Sequence, residues 1–94
     1  MKFVLLYESA DGVRERAPEH YDAHVARLRA FHERGDLLLM GPFEDPQQDG
    51  AMGVFTTREA AEAFAADDPF VLGGVVRRWE VRGWNEIFVR TAVP

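Results

Sequence analysis

Apolar residues along the chain follow two patterns, short unbroken runs and positions recurring every three or four residues. "KFVLLYE", from Lys2, is an unbroken run of strand formers bounded by the turn-prone "SADG", and predicts a central first strand. Tyr21, His24, Val25, Leu28, Phe31 and His32 recur at helical spacing. Pro18 is placed to open that helix, with Glu19 and Asp22 favourable near its positive end, and Gly35 is placed to cap it with positive φ. "LLLMGPF", from Leu37, reads as a second, buried strand interrupted at Gly41-Pro42, and "EDPQQDG" reads as a loop. "AMGVFTT" is a third strand, joined to the second by a hairpin-type connection. "TREAAEAFAA" predicts a helix with Thr57 as N-cap and Ala61, Phe64 and Ala65 inward, and "DDPFVLGG" breaks it. "VVRRWEVRGW" predicts a strand with Val76, Arg78, Glu80 and Arg82 on one face. Val75, Arg77, Trp79 and Val81 take the other, where Arg77 is out of keeping. "NEIFVRTAV" adds an edge strand or an arm.

The order β-α-β-β-α-β predicts an α+β, ferredoxin-like split βαβ fold with an antiparallel sheet. Both helices would cover one sheet face, leaving the other for a second copy, so a homodimer through that face is expected. Trp79, Trp84, Phe70 and Phe88 have a pocket reading and a core or interface reading, and large buried area favours the interface.

Composition narrows the classes. The 94 residues suit one domain, and 47% hydrophobic content suits a packed core. Eleven basic against sixteen acidic residues give a net charge of −5, which argues against a nucleic-acid partner. Arg77, Arg78 and Arg82 are read as the wet edge of a strand. Cysteine is absent, which removes disulfides, thiolate nucleophiles and Cys-based metal sites. The apolar run after Lys2 is too short for a signal peptide, and no stretch is long enough to span a bilayer. A cytoplasmic protein with no membrane partner is expected.

The candidate chemistry centres on histidine. His20 and His24 stand one helical turn apart, a spacing that suits two metal ligands, but no third ligand is evident and no metal is expected. His24 falls in the apolar stripe and points inward, His20 sits in the first turn, and His32 lies near the helix end favoured by cations. An inward histidine is either a core residue with one satisfied hydrogen bond or a catalytic one. Asp68, directly before Pro69, reads equally as a loop cap or as a carboxylate within reach of His24. Such a carboxylate would fix the tautomer and leave the other ring nitrogen as a base.

In family order over nearly the whole chain, "RAP" (16–18), "HVARL" (24–28), "ERGDLLLMGP" (33–42), "AEAFAADDPFVLGGV" (61–75) and "RWEVRGW" (78–84) resemble the YciI-like (YCII-related) family of the dimeric α+β-barrel superfamily. The resemblance implies a ferredoxin-like protomer, a homodimer, and a pocket with a His–Asp pair that maps onto His24 and Asp68. Members of the wider superfamily isomerise lactones, remove chloride from or oxygenate small ring compounds, several without a cofactor. Met40 and the "FEDP" loop fill positions that vary among relatives.

Two functions follow. In one, the chain is a cofactor-free enzyme of lyase or isomerase type acting on a small, cyclic, partly apolar substrate. His24 would be its general acid or base and Asp68 the orienting group, with Arg16, Phe70 and Met40 binding substrate. In the other, it is a non-catalytic metabolite-binding or dimeric interaction module. No cofactor is expected, because no strand is followed by a glycine-rich phosphate loop and no axial-ligand motif occurs.

Overall fold

In a computed structural model of the chain, which describes residues 1–90, four strands form one antiparallel sheet. They are β1 (Lys2–Ser9), β2 (Leu37–Pro42), β3 (Ala51–Phe55) and β4 (Val76–Trp84), in the order β2-β3-β1-β4. The main helices are α1 (Val13–Glu33) and α3 (Arg58–Asp67), with single-turn helices α2 (Pro46–Asp49) and α4 (Pro69–Leu72). This is the ferredoxin-like, split βαβ arrangement that the pattern predicts. No helix among the described residues is long and apolar enough to cross a membrane.

One sheet face carries the core. Leu5 and Tyr7 of β1, Phe55 of β3, Phe31 of α1 and Phe64 of α3 are buried together. The rings of Phe31, Phe55 and Phe64 meet edge-on or tilted at 5.2–6.5 Å. Strand alternation sends Val4 and Leu6, with their partners Val54 and Met52 and the adjoining Leu39, to the opposite face.

Several local expectations are corrected. α1 opens at Val13, five residues before Pro18. Gly12, at φ 71°, turns the chain, and the Val13 N–H is taken by the Gln47 side chain, a partner 34 residues away. Pro18 therefore lies within the helix, at the expense of one intrahelical bond. The "EDPQQDG" connection is not all loop, since Asp45 accepts from the Gln48 N–H and caps α2. β2 is an edge strand, largely exposed, rather than a buried one.

In β4 the register slips opposite Glu8 and Ser9, so that Arg77 becomes the extra residue of a bulge. Val76 consequently joins Trp79 and Val81 on the helix-covered side, whereas unbroken alternation puts it with Arg78. Trp79 packs against the core, not on the open face. Residues 85–90 form no strand; 91–93 of the expected edge strand lie outside the described residues. Glu86 accepts from the Lys2 ammonium and the N-terminal ammonium, each at 3.0 Å. Those contacts, Lys2 first, lower its pKa to about 2.

Candidate functional site

Three chain segments meet under the start of β4. His24 projects from the middle of α1, Tyr7 from β1, and Asp68 from the step between α3 and α4. Asp68 precedes a proline, which favours an extended backbone there; its φ and ψ are −65° and 127°. That conformation ends α3 and turns the carboxylate inward, where it is wholly buried.

The carboxylate is fully partnered. Its Oδ1 lies 2.7 Å from His24 Nδ1 and accepts from the Phe70 N–H at 3.1 Å, and its Oδ2 accepts from the Tyr7 hydroxyl at 2.6 Å. A carboxylate serving these donors can only accept, so the ring proton of neutral His24 sits on Nδ1. His24 Nε2 then carries the free lone pair. It makes no hydrogen bond among the described residues and is not sealed from solvent. Phe70 stacks flat on the imidazole, with ring centroids 3.7 Å apart and planes within 5°. The Tyr7 phenol is pushed above the ordinary tyrosine range by burial, then by the charge of Asp68 and the bond to it, with Arg27 opposing.

His24, Tyr7 and Phe70 face a cavity of about 930 Å³ between α1 and the sheet, a volume within the range that holds small organic ligands. Val25, Leu28, Met40, Ala51 and Val75 supply much of its apolar wall. The charged side chains along it are Arg14, Glu15, Asp22 and Asp45.

Of the residues singled out from the sequence, His24, Asp68 and Phe70 are thus brought together, and Met40 lines the same cavity. Arg16 is not among the lining residues. Its Nε donates to the Asp11 carbonyl at 2.8 Å across the start of α1, and Arg14 takes the lining position. His20 turns aside, with Nε2 3.7 Å from Glu19 and its ring pressed against Gly73. His32 faces the Leu37 carbonyl at 3.0 Å. Among the described residues no group of three or more His, Cys, Asp or Glu is arranged to hold a metal ion. Tyr7 was not legible as a site residue. The available signal is a hydroxyl on the inward face of a central strand, which must find a partner once buried.

The four-stranded antiparallel sheet, with both main helices and a cavity on one side, defines an α+β protein of the ferredoxin-like, split βαβ class. The YCII-related domain model matches residues 1–85, and the chain belongs to that family. It is 34% identical over 95 residues to protein YciI of Escherichia coli O6:H1, covering 90% of this chain and 96% of that protein. An uncharacterized Haemophilus influenzae protein is 28% identical over 98 residues, covering 94% of this chain and all of its own length. Among solved structures, 5-chloro-2-hydroxyhydroquinone dehydrochlorinase from Burkholderia phenoliruptrix, in complex with 2,5-dihydroxybenzoquinone, shares the fold. Its TM-score is 0.71 at 20% identity, over 90% of this chain and 94% of that one.

Proposed function

We propose that this protein is an enzyme of lyase or isomerase type that moves a proton on a small, cyclic, largely apolar substrate without a cofactor. The observation that carries this reading is the 2.7 Å contact of His24 Nδ1 with a buried carboxylate, which leaves Nε2 open as the base. Asp68 holds the ring in one tautomer and stabilises the imidazolium formed when Nε2 takes a proton. Phe70 fixes the plane of the ring, and with Met40 it offers apolar contact to the substrate. A wall of aliphatic and aromatic groups suits a ring compound. The dehydrochlorinase of shared fold, with its six-membered ring ligand, supports the same substrate class.

The test is turnover of small ring compounds, chlorinated hydroquinones and lactones included, by the wild-type protein and by His24→Ala. Positioned proton transfer contributes about 10²- to 10⁴-fold, so the variant should lose that much in kcat/KM while remaining folded. A variant within a few-fold of wild type refutes the role.

The functional unit is a homodimer in which the open sheet face of one protomer covers that of its partner. The apolar set Val4, Leu6, Met52, Val54 and Leu39 on that face supports this arrangement, as does Leu39 remaining 62% exposed in the single chain.

A further inference from the structure

We propose that Tyr7 is a positioning residue for the His24–Asp68 pair, its hydroxyl holding the Asp68 carboxylate and setting how readily the pair takes up a proton. Asp68 Oδ2 has one donor among the described residues, the Tyr7 hydroxyl at 2.6 Å, whereas Oδ1 is shared by His24 and the Phe70 N–H. Each oxygen is thereby fixed from a different element, and the carboxylate cannot turn without breaking a buried hydrogen bond. Tyr7 comes from a central strand 61 positions from Asp68, so its bond also ties the pair to a strand that is hydrogen-bonded on both sides.

A hydrogen bond donated to an anion stabilises the anion and weakens its pull on a neighbouring proton. Without the Tyr7 hydroxyl, Asp68 would attract a proton on His24 more strongly, and the pair would protonate at higher pH. The other charged side chains facing the pair are Arg27 of α1, whose charge reaches Tyr7, and Arg14, Glu15, Asp22 and Asp45, which line the cavity that His24 and Tyr7 share. Arg27 is already engaged by the carbonyls of Ala63 and Phe64, at 2.8 and 3.1 Å. The phenol itself stays protonated throughout the range in which imidazoles titrate, so the donor is never lost there.

Tyr7→Phe removes only the oxygen and keeps the ring that packs beside Leu5 and Phe55. The experiment is an NMR pH titration of the His24 ring in the free protein, wild type against Tyr7→Phe. Part of a charge-assisted hydrogen bond persists when the imidazolium forms, so the shift reflects less than its full strength. The midpoint should therefore rise by an amount equivalent to roughly three- to tenfold in proton affinity. A midpoint that is unchanged or lower overturns the proposal. In wild-type protein labelled at tyrosine, the Tyr7 Cζ resonance should inflect at the same pH as His24. A flat trace also overturns it, whether or not the variant folds. The inference rests on His24 and Asp68 as the reactive pair, yet the readout needs no turnover. A chain that titrates as described but converts nothing would refute the enzyme and leave the coupling intact.

Discussion

Tyr7 shows how one side chain can serve the fold and the site together. Its phenol is buried beside a charged carboxylate, and its proton is held more tightly in the native chain than in the unfolded one. The sign follows from linkage. A group whose native pKa is raised stabilises the fold below its unfolded value, here 10.0, and that stabilisation drains away as pH climbs past it. Wild-type unfolding free energy should fall above pH 10 by up to about 1.4 kcal/mol per pH unit more than that of Tyr7→Phe, as read from denaturant curves. Equal slopes for the two proteins would remove Tyr7 as the cause. The position was hard to find from the sequence because a tyrosine within "FVLLY" looks like one more apolar strand residue, and its partner lies 61 positions away. His24 was easier, since a histidine within an apolar helical stripe is out of place by its own period. Asp68 announced itself by preceding a proline where a helix had to stop.

At the scale of elements, periodicity located every main strand and helix, and the departures share a cause in tertiary contact. Pro18 is a reasonable helix opener, yet Gln47 reaches across to the Val13 amide and lets α1 begin earlier. The Arg77 bulge could be suspected only as a misplaced charge, because a slip in pairing belongs to two strands and is written in neither alone. Gly50 shows a stricter demand. It joins α2 to β3 at φ 76°, and a Cβ there would stand 1.8 Å from the Tyr7 carbonyl oxygen. Relief requires β1 and β3 to part beside the candidate site. Gly50→Ala should cost about 3 kcal/mol or more in chemical denaturation, through backbone strain and the displaced strand together. A loss under about 1 kcal/mol would show that the connection yields instead.

The whole molecule is small for its exposed apolar surface. One sheet face is covered by α1 and α3, and the other carries Leu39 at 62% and Trp84 at 50% exposure in the single chain. Surface of that kind on a 10.7 kDa protein favours self-association, and two such faces brought together bury both sets. Sedimentation at micromolar concentration should give about twice the chain mass, and a monomer there would dismiss the proposed cover. The architecture was readable from element order alone; the occupant of the cavity was not, because its wall gathers residues from distant parts of the chain.

The wide sequence separation of Tyr7, His24 and Asp68 has a consequence for how the protein matures. The three come from β1, α1 and the step between α3 and α4, so only a chain that extends past residue 68 and has brought these elements together can hold them as one group. A nascent or clipped chain that stops short of the α3–α4 step lacks the carboxylate partner of His24, and on the proposed mechanism it should show no turnover.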